Sequence, residues 1–334
     1  MSFFSWLASA IRNRQSAIGS GLRKPKAGSR KPPRYRPQLE ALEDRWLPST
    51  LTVTNNLDGP AGSLRADIVA AQSGDTIVFS PSLNGQTIAL TSGVLDINKN
   101  LTVQGPGAGQ LAVSGNNSST VFKVEANTQV LLSGLTIRNG SALNSIGGGI
   151  LNYGTLTVSA CTVSNNGAYS GGGIYNATSL TVSNSTVSAN SAEVYGGGIY
   201  SDYKTTLTIT ASVVQQNSAI YGGGIWNDGT ATVSGSTLSG NSAFGGDFAT
   251  GNGGAIFNEG TMSILASTVT GNSSGGEGAG IYNQNGYLTI GNKSLVCNNF
   301  EYPGYGSFEN DLYNDLYGIV KISGGSKVCV SNVK

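Results

Sequence analysis

Residues 171–190 read GGGIYNATSLTVSNSTVSAN, and the phrase returns with small changes as GGGIYS at 196–201, GGGIWN at 222–227, GGAIFN at 253–258 and GAGIYN at 278–283. The isoleucines that mark it, Ile150, Ile174, Ile199, Ile225, Ile256 and Ile281, are spaced by 24, 25, 26, 31 and 25 residues. A fixed period defines a stack of equivalent units and is read before any motif. About 25 residues is too short for a helix pair and suits one coil of three strands. Within the unit, Leu180 and Val182 alternate with Thr181 and Ser183, and Val187 sits between Thr186 and Ser188, so each strand has one apolar side.

Aligned units predict an interior column of Val163, Val187, Val214, Leu238, Val269 and Leu295. They also predict a turn column of Asn166, Asn190, Asn217, Asn241, Asn272 and Asn298, where the short amide tolerates left-handed backbone and bonds along a stack. The glycines of each phrase permit a positive-φ bend and a close approach of neighbouring coils. The expected architecture is all-β, a right-handed parallel β-helix over residues 51–334, with about eleven coils stacked about 4.8 Å apart into a rod of about 50 Å.

Composition agrees. The 334 residues include 49 Gly, no His and only 11% charged residues, with 38% hydrophobic. Low charge with abundant apolar residues is the reverse of a disordered chain. The absence of His excludes Ser/His and Cys/His nucleophile pairs and His metal sites. Residues 1–50 form a separate basic leader, with Arg12, Arg14, Arg23, Lys24, Lys26 and Arg30 among its bases, joined to a mildly acidic body. Its apolar patch, Phe3 to Ile11, precedes the bases, unlike a signal peptide, and is too short to span a bilayer. Membrane contact, if any, runs through this leader alone. Upstream of the repeats, Ser63 is placed to cap a short helix carrying Leu64, Ile68 and Ala71 on one face, which would cover the open first coil.

Two stretches resemble known families. LEALEDRWLPST, residues 39–50, resembles an N-terminal motif of many predicted secreted or surface proteins of planctomycete-type bacteria, which implies an export or sorting address and an extracellular or cell-surface location. The GGGI and GGAI phrases with the VSAN and LSGN turns resemble the repeat of the chlamydial polymorphic outer-membrane proteins, over roughly residues 62–332. That family usually has Phe three residues before its Asn; here Val187, Val214, Leu238 and Val269 stand there. Pectate lyases and polygalacturonases resemble the chain only in the expected architecture, and architecture does not give activity.

Two outward columns are candidate sites. Tyr175, Tyr200, Trp226, Phe257 and Tyr282, with Tyr313 beyond them, alternate with the inward isoleucines and should face outward, where rings could lie against sugars or simply stack on one another. Asp202, Asp228 and Glu259 follow one turn later at one-coil spacing, where they could share a Ca²⁺ or serve as turn residues. No other cofactor is implied. The long step from Ile225 to Ile256 places its excess in SAFGGDFATGNGG, which brings Phe244, Asp247 and Phe248 near the aromatic column as a recognition loop. Cys161 and Cys297 lie five coils apart, about 24 Å, and cannot pair. Cys297 and Cys329 are in neighbouring coils but offset by one position, which places them on opposite faces and weighs against a disulfide. The sequence therefore reads as a monomeric, non-catalytic, adhesin-like scaffold for an extracellular glycan or envelope component, with no nucleic-acid partner. A polysaccharide lyase or hydrolase and a purely structural envelope component are the alternatives.

Overall fold

The computed structural model describes residues 47–245, 251–301, 308–309, 311–314, 318–329 and 331–333. The chain divides into two compact units, residues 1–46 and 47–334; the leader readings lie outside the described residues. In the second unit, Thr/Ser-flanked apolar triplets and quintets form short strands because alternate β-branched residues fit a pleat with one buried side. One coil shows the plan: Ser179–Ser183 in a first sheet, Thr186–Ser188 in a second, Ser191–Tyr195 in a fourth and Ile199–Ser201 in a third, before Thr206–Thr210 returns to the first. Each strand pairs in parallel with its equivalent one coil on, Leu180 with Leu207, Val187 with Val214 and Ile199 with Ile225. Among the described residues the first sheet has eleven strands, the second and third ten each, and the fourth eight.

The fourth sheet departs from the three-strand expectation. It starts at Ser141–Ile146, and in three later coils it is only a residue pair, Ser218–Ala219, Ser242–Ala243 and Ser273–Ser274, too short and polar to read as a strand. Its last pairing, Phe300–Glu301 with Phe308–Glu309, is antiparallel.

Interior positions are filled as the repeat dictates: Leu180, Val182, Val187, Ile199, Val214 and Ile225 are wholly buried, each contributing about 1.5–3 kcal/mol of apolar burial. The helix Leu64–Ala70 covers the first coils, with Ser63 accepting from the Ala66 amide and Leu64, Ile68 and Ala71 buried. Lys99 Nζ donates to the carbonyls of Ile68, Val69 and Ala71 and closes the helix C-terminus. Among the described residues no helix is long and apolar enough to cross a membrane.

The glycine triplet has two separate causes. Gly196 takes φ +62°, whereas a Cβ on Gly197 would meet the Ser218 carbonyl oxygen at 2.3 Å. The corners are held by three polar ladders. In the first, Asn190 Nδ2 donates to Asn217 Oδ1 (2.9 Å) and to the Val163 carbonyl (3.0 Å), while its own amide N–H donates to the same Oδ1 (3.0 Å). The left-handed residue is the one before each ladder Asn, for example Ala189 (φ 53°), Gln216 (φ 54°) and Asn298 (φ 59°). Asn298 is therefore not the ladder member; Asn299 is, and it donates to Asp311 Oδ1 at 2.8 Å. Likewise Val296, not Leu295, is interior: Val296 is wholly buried and Leu295 is 37% exposed. The cause is an extra left-handed residue, Asn292 (φ 56°) followed by Lys293 (φ 62°), in the preceding corner. The same one-residue correction brings Cys297 into register with Cys329, and the two form a disulfide. Cys161 is free and buried, and burial pushes its thiol up to about 11.

The other two ladders were not anticipated. A serine ladder runs through Ser185, Ser212, Ser236, Ser267 and Ser294, each amide donating to the next hydroxyl. A second Asn ladder follows the aromatic residue, from Asn152 to Asn176 (2.9 Å) and again from Asn227 through Asn258 and Asn283 to Asn314. Ser201 interrupts it. Its Oγ accepts from Asn176 and pairs with Thr205 Oγ1, and Asn227 Oδ1 is left buried without a partner.

Candidate functional site

The third sheet alternates an inward isoleucine with an outward ring, and the rings stack along the rod as the repeat predicts. Centroid distances are 4.9 Å for Tyr175–Tyr200, 6.2 Å for Tyr200–Trp226, 4.2 Å for Trp226–Phe257, 4.8 Å for Phe257–Tyr282 and 4.9 Å for Tyr282–Tyr313. Outward is not exposed, however. Trp226, Phe257 and Tyr282 retain only 8%, 2% and 9% of their surface, and two further tyrosines pack against the first two. Tyr195 meets Trp226 edge-on at 4.6 Å, and Tyr221 meets Phe257 at 5.7 Å. Only Tyr175 and Tyr200 stay half-exposed, so the face open to a ligand is the N-terminal part of the column. Tyr195 and Tyr221 were missed because the first ends a strand the period did not reveal and the second pairs with it through an isolated bridge; their signal was the aromatic directly before the glycines in VYGGG and IYGGG.

The acids line the turn beside these rings. Tyr175 Oη donates to Asp202 Oδ2 at 2.9 Å, and the Tyr203 amide donates to Oδ1 at 2.8 Å. Burial, then the hydrogen bond to Asp202, raises the Tyr175 phenol well above its ordinary value; burial followed by Asp202, Asp228 and Glu259 does the same for Tyr200. Burial and the Asp202 charge raise the Asp228 carboxyl, and burial and the Asp228 charge raise that of Glu259. Of the three carboxylates, Asp228 thus feels the charge of Asp202, and Glu259 that of Asp228. They do not converge: among the described residues, the one group of three possible metal ligands within 4.8 Å of each other is Cys297, Asp311 and Cys329, two of which are joined as a disulfide.

Phe244 is half-buried, its amide donating to the Ala219 carbonyl. Asp247 and Phe248 lie outside the described residues.

A cleft of about 540 Å³ opens just N-terminal to Tyr175, lined by Asn100, Asn127, Gln129, Tyr153 and Thr155. Tyr153 is near enough to Tyr175 to add to the upward shift of its phenol. Beside it on the third sheet, Lys123 is paired with Glu125, which raises the ammonium, and burial with the Glu125 charge raises the Asp96 carboxyl. Rings, amides, hydroxyls and carboxylates along one edge can stack on and hydrogen-bond to a hydroxyl-rich chain.

Residues 84–243 match a family model described as a right handed beta helix region. Among solved structures, a pectate lyase Pel9A is similar with a TM-score of 0.55 at 15% identity, covering 86% of this chain and 78% of that one. A mannuronic acid specific polysaccharide family 6 lyase from human gut microbiota gives a TM-score of 0.38 at 11% identity, covering 82% and 83%. No curated protein sequence matches the chain. The coil-to-coil parallel pairing, the matched region and the first of these structures together make the chain a right-handed parallel β-helix of pectin-lyase-like fold.

Proposed function

We propose that this β-helix is a secreted or cell-surface, adhesin-like protein that holds an extended glycan along the edge formed by the cleft at Tyr153 and the rings of Tyr175 and Tyr200. The observation that carries the reading is a neutral, amide- and hydroxyl-lined cleft whose Tyr153 is near enough to act on the Tyr175 phenol, with Tyr175 in turn stacked on Tyr200 and tied to Asp202. The Cys297–Cys329 disulfide supports an oxidising, extracytoplasmic location. Screening the body on a glycan panel tests the reading: a hit should weaken on Tyr175→Ala and Tyr200→Ala, and loss of neither ring altering any hit would refute it.

A second reading is cleavage of that glycan, favoured by the upward-shifted carboxyls of Asp228 and Glu259, because perturbed carboxyls are candidates for proton transfer. The neighbouring pectate lyase shares the fold, and a lyase activity in this chain would appear as unsaturated, ultraviolet-absorbing product from pectate. Calcium held by Asp202, Asp228 and Glu259 belongs to the same proposal.

A further inference from the structure

The body has two arginines, and they are treated differently. Arg65 is held by Asp58 in a two-point ion pair, Nε to Oδ1 at 2.6 Å and Nη2 to Oδ2 at 3.1 Å. Arg138, on the outer side of the second sheet, is half-buried and has no ion pair; among the described residues the ion pairs are Arg65–Asp58 and Lys123–Glu125. Arg138 Nη2 donates to Thr87 Oγ1 at 3.0 Å, two coils away. Nε is buried without a partner. Beside it lies a cleft of about 230 Å³ lined by Gln86, Thr87, Gln110, Ala112 and Thr136. A partly desolvated cation with one neutral hydrogen bond is costly to maintain, and here it borders a hollow whose other polar groups are uncharged.

We infer that this cleft binds the carboxylate of a single acidic sugar, free or at the end of a chain. A guanidinium fork matches a carboxylate's two oxygens in plane. One cation in a neutral lining balances one negative charge, whereas a phosphate dianion would leave a charge unmatched. The volume is below the roughly 300 Å³ at which drug-sized pockets begin, which suits one ring with its hydroxyls on Gln86, Gln110 and Thr136. This site is on a different sheet from the proposed glycan edge and does not depend on it.

Calorimetric titration of the full chain with D-galacturonate, D-galactose and inorganic sulfate tests the inference. Saturable galacturonate binding is expected, at least tenfold tighter than galactose or sulfate. Arg138→Gln should lose it by tenfold or more, and Thr87→Val, which unties the fork but keeps the charge, should weaken it several-fold. Should Arg138→Gln fail to fold, Thr87→Val and the galactose comparison carry the decision. Equal binding of galactose, no saturable galacturonate binding, or unchanged affinity in Thr87→Val together with any folded Arg138→Gln overturns the inference. Sulfate bound as tightly as galacturonate overturns the carboxylate assignment.

Discussion

Replacing Asn241 by Ala should be among the most damaging single changes in the rod. Asn241 is wholly buried. Its Nδ2 donates to the Val214 carbonyl and to Asn272 Oδ1, both at 2.9 Å, and its Oδ1 accepts from the Asn217 amide (3.1 Å) and Asn217 Nδ2 (2.9 Å). Asn272 Oδ1 keeps the Asn241 backbone N–H (2.9 Å), and Asn217 Nδ2 keeps the Val187 carbonyl (3.0 Å). The buried Asn217 amide loses its side-chain acceptor outright, and one side-chain N–H is stranded with it. At about 1–3 kcal/mol for each buried polar group left unsatisfied, the cost is about 3–5 kcal/mol before any cavity is counted. Domains are stable by only about 5–15 kcal/mol, so urea unfolding followed by circular dichroism should show a large fall in midpoint. Thr232→Ala on the outer face of the first sheet is the control and should stay within about 0.5 kcal/mol. An Asn241→Ala shift no larger than that of the control would mean that the ladder is decoration and that stability lies in the apolar column alone.

Val214→Asp places a carboxylate in the interior column and should cost several kcal/mol; an unchanged melting temperature would contradict the strand phase. Asn299→Ala should destabilise far more than Asn298→Gly, which relaxes a left-handed residue, and the opposite order would return the register to the uncorrected one. Asp228 and Glu259 have raised carboxyls, so the folded state binds protons more tightly and stability should fall as pH rises from about 4 through their shifted values. Asp228→Asn with Glu259→Gln should flatten that slope and raise the melting temperature at neutral pH, unless millimolar calcium already does so in the unaltered protein. Reducing Cys297–Cys329, which closes a sequence separation of 32, should release the last coil first, seen as early amide exchange confined to residues after about 295.

Identical residues at identical steps made the interior valines, the isoleucines and the aromatic stack legible, because parallel pairing turns a sequence repeat directly into a spatial column. What escaped was local irregularity. One extra left-handed residue at Lys293 moved Leu295 out of the core and hid the disulfide, since counting from apolar type favours a leucine over the valine beside it. The burial of Trp226 and Phe257 was invisible for a different reason: whether an outward ring is covered depends on Tyr195 and Tyr221, which approach from the preceding side of the coil. Pattern gives the side a residue faces; packing between sheets decides whether solvent reaches it.

The missing amide at Ser201 behaves like a dislocation in a crystal. Between Asn152 and Asn314 on that corner each coil is stitched to the next by a side-chain amide, except between the coils of Ser201 and Asn227, where the stitch is absent and an acceptor is left dry. Within the laddered stretch, a pull along the axis should open that step first, leaving an N-terminal part that carries Tyr175 and Tyr200 with their half-open face and a C-terminal one that keeps the lidded rings and the disulfide.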